Sequence, residues 1–207
     1  MPDSTNTLPF KTRVKDEIIA CATIYKNVML DYDYLICSPA FAKHPYYIVS
    51  AHEDNYKHLT GVESPLSPDD FFNKCFDGTI TENDFSFIKP GYTEAEVKGS
   101  VRRKISVLSN IQNIFSSSSL IEEDFSKGNI RCSFATSNSV CTLGFSISKV
   151  VKPKTLLKGN ILNPTKSCPI DIVFRKKRGD DKFTTLLVGN ESVLTKYISN
   201  ISSLIVY

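Results

Sequence analysis

The strongest constraint on this chain is a change of period at one place. Up to Phe115 the apolar positions recur mainly at helical spacing; beyond the serine run 116–119 they alternate. Phe10, Val14, Ile18, Cys21, Ala22, Tyr25, Val28 and Met29 trace one long amphipathic helix. "EDNYKHL" predicts a turn or two of helix with Gly61 as a left-handed cap. "SPDDFFNKCF" predicts a second, with Ser67 capping, Pro68 at the first position and Gly78 closing it. "TEAEVKGSVRRKISVLSNIQNIF" opens with Thr93 and Glu96 at capping-box spacing, and its apolar stripe leaves Lys98, Arg102 and Arg103 off the buried face. Short strands are expected at "DYDYLICS" and "YYIVSA". After the serines, "NIRCSFATSNSVCTLGFSIS" and "IDIVFRKKRGDDKFTTLLVG" read as hairpins and "KTLLKGNIL" as a strand. A last helix is expected from about Val193 to the C-terminus, with Asn190 as cap. The plan is α+β: a helical N-terminal half packed on a C-terminal antiparallel sheet built after about residue 128, plus a closing helix. Such a sheet leaves its other face free for a ligand. Residues 1–8 are expected to be a disordered lead-in and residues 9–207 one domain.

With 207 residues, 41% hydrophobic and 23% charged, the composition is that of a soluble globular chain. No apolar run reaches the roughly 18 residues of a membrane span, and the polar N-terminus resembles no signal peptide. A cytoplasmic location without membrane contact is the expectation. The six cysteines are scattered without a C-x-x-C pair, so reduced thiols, no metal and no cofactor are expected. Charge is uneven: residues 31–90 carry 4 Lys/Arg against 10 Asp/Glu, whereas 127–178 carry 11 against Asp171 alone. A basic stretch of that kind suits a polyanion such as RNA, or is an ordinary solvated lysine face.

There are three histidines. His58 sits in "NYKHLTGV" with Asp54 four residues earlier, on the same helix face, where a carboxylate can orient an imidazole. The alternative is that His58 packs or caps the turn. Thr60 either donates to a phosphate or completes the turn. His52 falls about 240° away on an ideal helix, and His44 has no visible partner.

"YKHLTGV" resembles the Phe/Tyr-x-His-Leu-Thr-Gly signature of a phage-associated nuclease-like family in the BECR superfamily, named for barnase, EndoU, colicin-type and RelE ribonucleases. "VKPKTLLKGNIL" resembles its Pro-x-Ser/Thr strand, and "TSNSVCTLGF" and the closing hairpin follow in the expected order. The resemblance implies a BECR-like fold and metal-independent RNA cleavage by a toxin or a phage or mobile-element anti-host factor, with a cognate inhibitor as a further partner. It makes His58 the proton-transfer group. The residues themselves suggest Asp54 to orient it, Thr60, Arg103 and Lys158 beside it at the phosphate, and Lys104 and Lys154 as further RNA-binding cations; Arg175 and Lys176 end a hairpin strand and either attract RNA generally or form a solvated tip. Alternation puts Lys154 and Lys158 on one side of their strand and Thr155 and Leu157 on the other, leaving open which set meets the ligand. The competing readings are a catalytically inactive nucleic-acid- or protein-binding module on the same scaffold, or a phage accessory protein whose acidic half meets a basic partner.

Overall fold

The computed structural model describes residues 8–148 and 150–207, so the expected lead-in, apart from Leu8, lies outside the described residues. Helix α1 (Phe10–Tyr25) buries Val14, Ile18, Cys21, Ala22 and Tyr25 of the predicted stripe, and Val28 and Met29 fall instead in a π turn at Lys26–Leu30. Strands β1 (Tyr32–Cys37) and β2 (Tyr47–Ser50) follow. Helix α2 (Asp54–Thr60) stops at Gly61, whose φ of 79° is left-handed. In α3 (Pro68–Phe76) the Ser67 hydroxyl accepts from the Asp70 amide. Helix α4 (Glu94–Leu108) starts from the Thr93–Glu96 capping box and runs on as a 3₁₀ turn, Ser109–Asn113.

Nine more strands complete the β structure: β3 (Leu120–Glu123), β4 (Ser126–Lys127), β5 (Ile130–Arg131), β6 (Phe134–Ser137), β7 (Cys141–Ile147), β8 (Val151–Lys158), β9 (Cys168–Pro169), β10 (Ile172–Lys177) and β11 (Thr185–Val188). The large sheet has the order β11-β10-β1-β2-β8-β7-β6-β3-β9, with β4 and β5 as a separate ribbon. The mixed α/β class holds, but the expected division into a helical half and a later sheet does not. β1 and β2 lie in the middle of the sheet, between β10 and β8, and β2 runs parallel to β8. The physical reason lies in β1 itself. Tyr34 and Ile36 pack under the helices while Leu35 and Cys37 pack on the opposite face. A strand covered on both sides carries a continuous apolar run, and that is a central strand.

The opposite face is therefore not free along its length. At one end Leu35, Cys37, Ile172 and Phe174 are covered by Phe183, Leu194, Ile201 and Ile205. At the other, Phe125, Cys132, Ala135 and Leu162 form a small third cluster. The closing helix is also broken, into α5 (Glu191–Leu194) and α6 (Ile198–Ile201). Asn190 caps α5 as expected, but the last residues turn extended so that Phe183 exchanges backbone hydrogen bonds with Leu204 and Val206. That pairing is closed to a continuing helix.

One joint opens the fold. Among the described residues β8 pairs with β2 at Val49 and Val151 alone; past that point α2 and α4 pack against β8 instead. On its other edge β8 pairs with β7 through a bulge, with Gly144 opposite Thr155 and Phe145 opposite Pro153. A Cβ at Gly144 would stand 2.6 Å from Cys132 Sγ and 2.9 Å from Thr155 Cγ2. Alanine usually stabilises a strand relative to glycine, but Gly144→Ala should destabilise the protein by about 1–3 kcal/mol through overpacking. A urea melt with an unchanged or higher midpoint would contradict this.

Candidate active site

The His-Leu-Thr-Gly turn is held from below. Tyr56 is buried and its hydroxyl donates to the Ile18 carbonyl at 2.6 Å, fixing α2 to α1. Leu59 enters the main core. Thr60 is fully buried; its hydroxyl donates to the Lys57 carbonyl at 2.8 Å and accepts from the Val62 amide at 3.4 Å. The threonine thus completes the turn and does not reach solvent. His58 is the exposed member of the motif.

Lys104 of α4 crosses this turn. A Cβ at Gly61 would lie 2.7 Å from Lys104 Cδ, so the glycine is required twice, for its positive φ and for the room it leaves. The Lys104 ammonium then donates to the His58 carbonyl at 2.6 Å. Burial pushes the Lys104 ammonium down to about 8, with Lys89 adding repulsion and Glu63 opposing it. The His58 imidazole is also lowered, first by burial, then by Lys104 and Lys57, against the pull of Asp54 and Glu63.

Gly61 and Lys104 line a cleft of about 790 Å³ between α4 and β8. Arg103 and Ser100 stand on the helix wall, Thr155 and Leu157 on the strand wall, and Lys89 and Tyr92 at the approach to α4. The carboxylate in this lining, Glu96, is engaged by the Thr93 amide at 2.7 Å and the Thr93 hydroxyl at 2.8 Å, and these hydrogen bonds hold it below its usual range. Three cations, Lys89, Arg103 and Lys104, stand in this lining against the ionised Glu96, so its net charge is positive.

The other predicted groups fall in several places. Arg103 reaches the cleft, exposed. Lys158 is exposed at the end of β8, opposite Cys141, outside the lining. Lys154 is the extra residue of the bulge, and its ammonium donates to the Arg131 carbonyl at 2.6 Å. The lining answers the open alternation: Thr155 and Leu157, not the two lysines, face the cleft. Lys176 donates to the Asp180 carbonyl at 2.5 Å and sits over the Phe183 ring on the face away from the large helices. Arg175 stacks over Tyr32, its guanidinium carbon 4.5 Å from the ring centroid. Asp54 pairs with Lys152 at 3.3 Å rather than with His58, leaving its Oδ1 buried without a partner. Lys154, Lys158, Arg175 and Lys176 are thus distributed over separate surfaces. His44 packs edge-on to Tyr47, and the His52 carbonyl accepts from the Tyr25 hydroxyl at 2.8 Å. Sequence reading missed Lys89, Tyr92 and Ser100, which share no periodic signal and meet only through the α4–β8 packing. Among the described residues, no group of three or more His, Cys, Asp or Glu is placed to hold a metal ion, and no helix is long and apolar enough to cross a membrane.

The Gly61–Lys104 contact has a measurable signature. Gly61→Ala should cost about 1–2 kcal/mol for the left-handed backbone alone, and more because the lysine stem must move. In a Lys104→Ala background the second part vanishes, so the two substitutions should be non-additive by at least about 0.5 kcal/mol in urea unfolding. Strict additivity would show that the stem does not press on the glycine.

No curated protein and no solved structure matches the chain. A family model described as phage-Barnase-EndoU-ColicinE5/D-RelE like nuclease4 matches residues 17–195, a span that holds the His58–Gly61 turn, both walls of the cleft and every strand of the sheet. The chain belongs to this nuclease family.

Proposed function

We propose that the chain is a metal-independent endoribonuclease, residues 9–207 acting as one nuclease domain, that serves as a toxin or an anti-host factor of a phage or mobile element. The observation that carries the reading is Lys104, which ties the His58 turn to a cationic cleft inside a chain of a nuclease family. RNA cleavage without a metal needs a base for the ribose 2′-OH, charge stabilisation at the phosphate and a proton for the leaving 5′-oxygen. His58, an exposed imidazole whose proton affinity is lowered by partial burial and then by its lysine neighbours, takes the 2′ proton as the 2′-oxygen attacks phosphorus. The P–O5′ bond breaks and a 2′,3′-cyclic phosphate forms. Arg103 and Lys104 face the charge that develops, and an ammonium lowered to about 8 is acidic enough to protonate the 5′-oxygen. Lys158, at the end of the strand wall, attracts the RNA backbone beyond the cleft. In a toxin of this kind, the cognate inhibitor is the partner expected on the acidic 31–90 region.

His58→Ala should lower cleavage of total RNA in EDTA by about 10²–10⁴-fold while leaving the melting temperature near that of the unaltered protein, since the side chain is exposed. Cleavage at an undiminished rate would make the histidine a bystander. The pairing of Asp54 with Lys152 favours the second reading, a binding module, because no side chain holds the imidazole in register. RNA binding without cleavage in either protein would establish that reading.

The pH profile gives a separate check. Burial and then the positive neighbours disfavour the imidazolium, so the acidic limb of kcat/KM should lie below 6.5, and the alkaline limb should fall at about 8 as Lys104 loses its proton. Lys104→Gln should move the acidic limb upward and remove the alkaline one. Limbs unmoved by that substitution would show that neither group titrates in the reaction.

A further inference from the structure

A second cavity, of about 410 Å³, lies where the π turn, the 3₁₀ turn after α4 and β10 meet. It is roughly 12–15 Å farther along the α4 axis than the cleft. Its polar lining includes Arg175, Asn27, Gln112 and Ser117. Of the five cavities described, this one has no carboxylate in its lining; the others take Glu96, a set that includes Asp54 and Asp69, Glu17 and Glu94. Arg175 is half-buried on the Tyr32 ring, and its Nε is sealed from solvent without a hydrogen-bond partner. Among the described residues no carboxylate pairs with it within 4.0 Å. A half-buried cation without a counter-ion is costly, and a guanidinium fork with amide and hydroxyl donors around it is matched to tetrahedral oxyanions. Tyr34 and Phe115, with ring centroids 4.8 Å apart, supply an apolar wall large enough for more than a bare ion.

From this arrangement we propose that the cavity is a binding site for the phosphate monoester of a single nucleotide, separate from the cleft and independent of whether the cleft cleaves RNA. Arg175 grips the phosphate with its terminal nitrogens, Ser117 and Gln112 donate to it, and the aromatic wall takes the apolar part of the nucleotide. Two sources share this chemistry, a free mononucleotide and the phosphorylated end of an RNA.

The test is titration of the full chain with inorganic phosphate, adenosine 5′-monophosphate and adenosine, followed by calorimetry and by the arginine side-chain N–H signals in NMR. A short RNA with and without a 5′-phosphate is titrated into the His58→Ala variant, which keeps the RNA intact if the cleft is catalytic. Adenosine 5′-monophosphate should bind at least tenfold more tightly than adenosine and shift the Arg175 Nε–H signal. If the phosphorylated RNA binds more tightly still, and the unphosphorylated one does not shift that signal, the source is an RNA end; otherwise it is the free nucleotide. Leu187 is 40% exposed on the rim, so Leu187→Glu should leave folding intact yet weaken the binding at least tenfold by putting a carboxylate beside the phosphate. Arg103→Ala should not change it. Equal affinity for adenosine and its phosphate, no movement of the Arg175 signal, or binding untouched by Leu187→Glu would overturn the proposal and leave Arg175 a stacked structural residue.

Discussion

The crossing of Lys104 over Gly61 joins the two parts of the molecule on which the candidate site depends. α2 carries the histidine and α4 the arginine and lysine, yet the two helices come from segments more than thirty residues apart. A hydrogen bond from an ammonium to a backbone carbonyl at 2.6 Å fixes their separation in a way that apolar packing alone would not. Because the stem occupies the space of a missing Cβ, no other side chain at position 61 allows the same approach.

That crossing is possible only because the sheet comes apart locally. Among the described residues β2 and β8 share a single register position, beyond which the helices pack against β8. An unpaired strand edge exposes backbone donors and acceptors, so it has to be covered or given a ligand. Here one stretch of the edge is covered by α2 and α4, and the remaining space between helix and strand is the cleft. From β8 a threonine and a leucine, Thr155 and Leu157, rather than two lysines, look into it.

The electrostatics follow from the same geometry. Burial first, and then neighbouring cations, lower the proton affinity of the Lys104 ammonium and of the His58 imidazole. A polyanion entering the cleft relieves that repulsion. The acidic groups at hand are occupied: Glu96 in its cap, Glu63 on Lys89 at 3.0 Å, and Asp54 on Lys152.

Local signals were legible wherever the physics is local. The capping box at Thr93–Glu96, the Ser67 cap, the left-handed glycine after the histidine, and the α1 stripe depend on neighbours in sequence, and each stands where periodicity and cap chemistry put it. The His-Leu-Thr-Gly turn likewise identified the family. What the chain could not disclose was pairing over long separations. β1 entering the middle of the sheet, its parallel neighbour, the broken closing helix and the bulge at Lys154 each depend on which strand lies alongside, a choice made by burial on both faces and not by any window of sequence. The sequence by itself determined the elements, their caps and the cationic residues. Only the tertiary structure decided that Lys104 reaches His58, that Asp54 turns to Lys152, and that Arg175 ends in a pocket without a counter-ion. Side-chain partners across a fold are set by distance in space, and that is not written in spacing along the chain.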